Sequence, residues 1–472
     1  MHFPSDHLVI HAACVNRRRF LCATGASGLA LGAAALPFPA LAAKQDKTAQ
    51  APKPQAKSVI QIGIWGGMSQ FETFDPKPEA EFENRSFFKP IPTNVPGIEI
   101  SETLPMLAKI ADKYSILRTM INPYTGHSTC LTCILSNSMP PGGAQSSHPS
   151  SKLVYPGVGA VVALKKSEDG TYQDELPPWI SIGRAMGAPN EGFLGPKWKP
   201  FGVSTRGRSR RPDFEQRMAE RRDLLAAIQP QTSADGTRPP AAETASNLRE
   251  DLFRSMTSAA QDVLDLEQES TEVRDRYGDN EFGQSLLLAR RLAAYGVPFI
   301  SILTSGNVVG KDGKRYGWDM HDQLNAAIKT LCPVLDQGLS ALLEDLSENG
   351  LLDQTIVVLA PENGKGPEFT SKWKKGQPHP GEKGGRQHWG NGYSCVVAGG
   401  GFKGGNVVGE MDQDGRTVVT RPIYPWDMWE SVYQLLGIDP KDTLPNPSGC
   451  VAPVSQAVAC GLPRGGLLTE IM

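Results

Sequence analysis

The sequence predicts an α/β fold built on a largely parallel central sheet. Three observations predict it. Short apolar runs of strand length alternate with longer amphipathic segments along most of the 472 residues. Thr355 to Ala360 (TIVVLA) is a continuous apolar strand, the pattern of a strand covered on both faces. Glycines at Gly66-Gly67, Gly296 and Gly350 stand where a strand or helix must turn.

The elements follow in chain order. Ser58 to Trp65 (SVIQIGIW) reads as a buried first strand, Leu104 to Lys113 as a helix and Ser115 to Met120 as a second strand. His127 to Asn137 and Gly157 to Leu164 read as helices, and Phe193 to Pro196 as loop. Pro212 to Ile228 is a charged helix, and Gln229 to Thr244 is a spacer rich in Pro, Ser and Thr. Leu248 to Gln268 and Phe282 to Tyr295 are long helices, so 205–295 is the region of helical insertions. Val297 to Leu303 is a strand, and His321 to Glu348 a helix with a kink or break expected at Pro333. Tyr393 to Ala398 is another strand. Gly399 to Gly405 reads as a glycine-rich turn rather than a phosphate cradle, because no helix pattern follows it. Pro425 to Leu436 is an amphipathic helix whose Trp426 and Trp429 are expected to pack on the sheet.

Composition narrows the function classes. Forty-eight basic residues against 50 acidic ones leave a net charge of −2, so no positive field would draw in a nucleic-acid backbone. A hydrophobic share of 39% with 21% charged residues is that of a folded soluble protein. Eight Cys in so long a chain exclude a small disulfide scaffold. The pair Cys130 and Cys133 reads as a helical i, i+3 pair facing the core rather than a redox motif. Cys450 and Cys460 could pair in an oxidising compartment.

The first 42 residues have the pattern of an export leader. Arg17-Arg18-Arg19-Phe20-Leu21 opens a weakly apolar Ala/Gly-rich stretch that ends in the small-x-small site Ala40-Leu41-Ala42. An Arg pair followed by x-Phe-Leu resembles a twin-arginine signal, which implies the twin-arginine translocase as a partner and a periplasmic or secreted product. Residues 43–57 are then a polar linker, 58–449 the folded domain and 450–472 a C-terminal tail. No later stretch reaches the about 18 apolar residues of a membrane span, so an uncleaved leader would be the one membrane attachment. Three Arg, one Asp and three His leave with the leader, so 45 basic residues face 49 acidic ones and five His remain.

Ligands of open α/β sheets bind beyond the carboxyl ends of the strands. Polar clusters follow the strands at four places: Ser69, Glu72, Thr73 and Asp75; His127, Ser128 and Thr129; Asp319 and His321; Glu362 and Asn363. A fifth, Arg386-Gln387-His388-Trp389, precedes a strand. Carboxylates, an amide oxygen and imidazoles converging on one sheet edge suit a divalent metal.

Several of these segments carry a family resemblance. The leader, GGMSQFETFDPKP at 66–78, GFLGPKWKPFGV at 192–203, DRYGDNEFGQSLLLARRL at 275–292, GWDMH at 317–321 and GRQHW at 385–389 resemble an exported bacterial family, domain of unknown function 1501. That family is classed as sulfatase-like. The stretch ending in GLLDQTIVVLAPENG at 350–364 is separately similar to sulfatases. The resemblance implies an alkaline-phosphatase-like fold, with a mostly parallel central sheet flanked by helices. It also implies a metal-dependent hydrolase acting on a small-molecule or polysaccharide ester of phosphate or sulfate. The sequence departs from the family pattern at Gln70, Glu72, Lys365, Gly366 and Gln387. No Cys/Ser-x-Pro-x-Arg element is present, which argues against formylglycine chemistry.

On this reading Asp319, His321 and His388 hold one metal, which could be zinc, calcium or manganese. Glu362 and Asn363, with Glu72 or Asp75, hold a second. Ser128 or Thr129 is the nucleophile, at a helix N-terminus where backbone N–H groups favour an anion. His127 is a ligand or an acid/base, and Arg386 or Lys365 binds the anion. The alternative is a non-catalytic exported binding protein on the same fold, with a degenerate metal site.

Overall fold

Every residue of Ser58–Ile64 (β1) is buried, which requires cover on both faces of the strand. The computed structural model describes residues 55–137, 155–172, 176–183, 191–205, 258–372, 374, 376–446, 449, 451–457 and 461–472. The expected leader, the linker up to residue 54, the helix and spacer at 212–244, the start of the 248–268 helix and the pair Cys450 and Cys460 lie outside them.

In chain order the other strands of the main sheet and of the hairpin at its edge are Tyr114–Met120 (β2), Trp179–Ile182 (β3), Phe201–Val203 (β4), Phe299–Thr304 (β5), Thr355–Pro361 (β6), Gly364–Phe369 (β7), Arg386–Trp389 (β8), Tyr393–Ala398 (β9) and Asn406–Val408 (β10), and short two-stranded pairs lie in the loops. The helices that cover the sheet are His127–Ser136 (α1), Val158–Glu168 (α2), Glu281–Tyr295 (α3), Leu324–Glu348 (α4) and Pro425–Leu435 (α5). Eight strands form the main sheet in the order β10-β2-β9-β6-β1-β5-β3-β4. β1 pairs in parallel with β5 and β6, while β9 alone runs against its neighbours β6 and β2. The α/β fold with a mostly parallel sheet and flanking helices is therefore the one the sequence predicts.

Alternation along the strands divides the core in two. Ile60, Ile62 and Ile64 of β1 face α3 and α4, packing with Leu286, Leu292, Leu331 and Leu342. Val59 of β1 with Ile356 and Val358 of β6 faces the opposite layer, where Leu131, Val162 and Trp429 come from α1, α2 and α5. Each such aliphatic side chain contributes about 1.5–3 kcal/mol on burial. Trp429 packs on the sheet as expected, whereas Trp426 is buried away from it, against Ala457 and Leu462, with its Nε1 donating to the Pro463 carbonyl at 2.8 Å. Leu468 and Ile471, near the C-terminus, also reach this second core. No helix among the described residues is long and apolar enough to cross a membrane.

Three expectations change. The 104–113 helix is a single turn, Pro105–Ala108, followed by a 3-10 turn. Pro333 neither breaks nor ends α4; it lies on the exposed face, where the carbonyl freed by its missing N–H can meet water. α4 also starts at Leu324 rather than His321. The preceding backbone is committed elsewhere: Gly385 donates to the His321 carbonyl and Arg386 to that of Met320, which ties residues 320–322 to the start of β8. The short strands β3 and β4 and the hairpin β7–β8 were not foreseen. β3 is four residues behind two prolines, and β7 begins Gly-Lys-Gly-Pro, so neither shows a strand period. Gly399 to Gly405 is the expected turn, and its Gly400 and Gly405 N–H groups are used by Leu352 and Tyr114 carbonyls.

Asp336 of α4 fixes the Pro105–Ala108 turn by accepting from the Met106 and Leu107 N–H groups at 2.9 and 2.8 Å. Burial raises its pKa to about 6, against the backbone donors. An unfolded Asp titrates near ~3.9. The raised folded pKa adds stability that is full below ~4 and fades as pH rises through about 6. Asp336→Asn removes that term. Wild-type stability relative to the variant is therefore expected to grow by about 2 kcal/mol from pH 7 to pH 4, read by urea unfolding at both pH values.

Candidate metal centre

The parallel strands deliver their following loops to one edge of the sheet. β1 leads into Trp65-Gly66-Gly67, β2 into His127, β5 through the hairpin of Gly306–Val309 and Arg315–Gly317 into Trp318-Asp319-Met320-His321, and β6 into Glu362-Asn363. The hairpin β7–β8 folds over the same edge and returns the chain into β9. Gly66 makes the close approach possible. Its φ is +113°, and a Cβ there would strike the Asp319 backbone. Its N–H donates to Glu362 Oε1 at 2.8 Å, so the ends of the two central strands are locked together.

Asp319 is the centre of the group. Its Oδ1 lies 2.9 Å from His321 Nε2, 2.9 Å from His388 Nε2 and 3.5 Å from Lys365 Nζ. Its Oδ2 is 3.3 Å from His127 Nε2. The other ring nitrogen of His127 meets Glu362 Oε1 in a short contact. Trp65 stacks on the His127 ring at 4.4 Å, fixing the imidazole plane. His388 Nδ1 lies 3.0 Å from the Thr125 carbonyl, which leaves Nε2 to face Asp319.

The charges couple. Burial works against the His127 proton, but hydrogen bonds to Asp319 and Glu362 outweigh it and push the pKa up to about 9. Burial would raise Asp319, yet His127, His388 and Lys365 hold its carboxyl well below the usual range. Burial and the neighbouring Lys365 charge lower His321. Lys365 is fully buried and falls to about 8 despite Asp319.

His127, Asp319 and His388 offer ligand atoms all within 4.8 Å of one another. Imidazole nitrogens with a carboxylate oxygen are donors for zinc or manganese. Buried Glu362 Oε2 and Asn363 Oδ1, and His321 Nδ1, have no hydrogen-bond partner, so acceptor capacity remains around the triad. The residues present fit a divalent cation.

Not every predicted residue joins the group. Asp319, His321, His388, Glu362, Asn363 and His127 do. Glu72 does not: its carboxylate accepts from Ser69 and pairs with Arg386 at 3.0 Å, both partners being fully buried. Arg386 likewise lies outside the group, fully buried. Its guanidinium lies between the Phe71 and Phe369 rings and donates to the Pro367 and Asn84 carbonyls. Asp75 is buried against Arg118 and Lys77. Glu72 and Asp75 therefore do not join Glu362 and Asn363, since each faces cations of its own, Arg386 for Glu72 and Arg118 and Lys77 for Asp75. Thr129 turns its hydroxyl back to the Gly126 carbonyl at 2.8 Å, whereas the half-buried Ser128 occupies the second position of α1. Cys130 and Cys133 are buried, free thiols whose pKa burial raises. Sequence reasoning missed Trp65, whose one signal was an aromatic placed between an apolar strand and a Gly-Gly turn.

Fold and site define a class: a three-layer α/β protein with an imidazole–carboxylate cluster at the carboxyl edge of a mostly parallel sheet. The chain belongs to the family described as protein of unknown function DUF1501, whose sequence model matches residues 56–458. No curated protein matches it. Among solved structures it is similar to alkaline phosphatase from the Antarctic bacterium TAB5, at 11% identity and TM-score 0.37 over 81% of this chain and 99% of that one. It is similar to PsFucS1 sulfatase from Pseudoalteromonas sp., at 12% and 0.35 over 86% of this chain and 73% of that one. It is also similar to a protein in the alkaline phosphatase superfamily from Vibrio parahaemolyticus, at 11% and 0.37 over 82% of this chain and 68% of that one.

Proposed function

We propose that the protein is a cation-dependent hydrolase of phosphate or sulfate esters. The observation that carries the reading is the meeting of three imidazoles and a buried ammonium at the single carboxylate of Asp319. His127, Asp319 and His388 would hold one divalent cation, with His321 beside them. Bound there, the cation supplies a Lewis acid that polarises an ester oxygen and lowers the pKa of a nearby hydroxyl or water.

The chain's own groups divide the remaining work. Lys365 offers a fixed positive charge, in a low-dielectric setting, to an anionic ester oxygen. The first N–H groups of α1 favour the same anion. Ser128 is the nucleophile of this reading, because the residue is part-exposed at that helix end while the hydroxyl of Thr129 is committed. Trp65 keeps the His127 ring from turning away.

One observation favours a second reading, anion binding without turnover. Asp319 already has four basic groups around it, so an anion could be held there with no cation. One experiment separates the two. Purified protein is dialysed against Zn²⁺, Mn²⁺ or Ca²⁺, its metal content measured, and aryl phosphate and aryl sulfate esters supplied. The hydrolase reading expects about one tightly held cation per chain, turnover that chelator removes, and loss of both in Asp319→Ala. Ser128→Ala is expected to keep the cation and lose at least about 100-fold in turnover, as for removal of a covalent nucleophile. No bound cation and no turnover contradict the hydrolase. Wild-type ester binding without turnover supports the second reading.

We further propose that the chain is exported by the twin-arginine route, on the strength of Arg17-Arg18-x-Phe-Leu. In a bacterial host that has this translocase, Arg17→Lys with Arg18→Lys is expected to leave the protein in the cytoplasm with its leader uncut. Unchanged periplasmic yield would refute the route.

A further inference from the structure

Lys365 and His388 reach Asp319 from a hairpin that is poorly secured by its own ladder. β7 and β8 pair at Gly364 with Trp389 and at Lys365 with His388; the register then shifts before Phe369 meets Arg386. Lys365 and His388 are thus direct cross-strand partners on one face, and both point at Asp319 Oδ1. Whatever fixes the Lys365 backbone fixes the pair.

That backbone is gripped by one side chain. Gln70 Oε1 accepts from the Lys365 N–H at 3.0 Å, and Gln70 Nε2 donates to the Lys365 carbonyl at 2.7 Å. The same Nε2 donates to the Gly392 carbonyl at 3.3 Å, just before β9. The carboxamide therefore satisfies both polar groups of one residue, as a neighbouring strand would. Gln70 is itself held, because its carbonyl accepts from the Thr73 and Asp75 N–H groups. Gln70 and Lys365 are 2% and 0% exposed, so water cannot take over these bonds if they are lost. Gly364 leaves the room, since a Cβ there would approach Gln70 Oε1 to 2.6 Å.

We propose that Gln70 is a positioning residue of the metal centre: its grip on the Lys365 peptide sets where the Lys365 ammonium and the His388 imidazole meet Asp319. The inference rests on the reading of the site as a cation centre. Gln70 makes no hydrogen bond to His127, Asp319 or His388; its partners are Lys365, Gly392, Thr73 and Asp75. It acts through the hairpin, as the supporting groups of metal sites act through their ligands. A carboxamide is required because the peptide offers one donor and one acceptor. Glu at this position, ionised, keeps the acceptor for the Lys365 N–H and loses the donor to the Lys365 carbonyl. Met fills the space and loses both.

The test uses Co²⁺, whose visible absorption reports coordination geometry, on the full mature chain. Affinity is read by calorimetry and folding by thermal unfolding of the cation-free protein. Gln70→Met is expected to weaken Co²⁺ binding by about tenfold or more and to change the Co²⁺ spectrum, with Gln70→Glu falling between it and wild type. Asp336→Ala, which loosens the fold at the Pro105–Ala108 turn, is expected to lower the unfolding temperature and leave affinity and spectrum as in wild type. If Gln70→Met fails to fold, Gln70→Glu carries the same comparison. Wild-type affinity and spectrum in the Gln70 variants overturn the inference alone, as does an equal change in Asp336→Ala. Wild-type protein that takes up no Co²⁺ overturns the cation reading, and this inference with it.

Discussion

The position of one carboxylate governs the edge of this sheet. Asp319 lies against His127 from the start of α1, His321 from its own loop, and Lys365 and His388 from the hairpin. The basic groups can crowd this edge because Asp319 stands among them. Its backbone approaches close enough because Gly66, at the end of the central strand, has no side chain. A turn glycine, a loop carboxylate and three separate segments thus depend on one another. The sheet supplies the frame by ending β1, β2, β5 and β6 on the same side.

Much of the frame was legible in the sequence because burial on two faces leaves a strong signal. The runs at 58–65 and 355–360 are apolar at nearly every position, and both proved to be adjacent central strands. Six of the proposed site residues follow such strands or flank one, so the rule that ligands gather at carboxyl ends located them together. Glu72, Asp75 and Arg386 satisfied the same rule and lie outside the group. Sequence position cannot tell whether an ionisable side chain turns toward the open edge or back into the core. Here Arg386 turns back between two Phe rings to meet Glu72, and Asp75 is met by Arg118 and Lys77.

The hairpin was illegible for a different reason. Gly-Lys-Gly-Pro has no strand period, and its pairing is secured by Gln70 from about three hundred residues away in the chain. Such a contact leaves no local pattern. Gln70 and Glu72 both act on that hairpin. One grips the Lys365 peptide and the other neutralises Arg386, so both brace the part of the site that carries Lys365 and His388.

The central claim is that these residues surround a cation rather than only one another. Crystals grown with Mn²⁺ or Zn²⁺ and measured at the metal absorption edge test it most directly. An anomalous peak in contact with His127, Asp319 and His388 is the predicted result. Direct contacts of Asp319 with the three imidazoles, retained at saturating metal and with no peak among them, would contradict it.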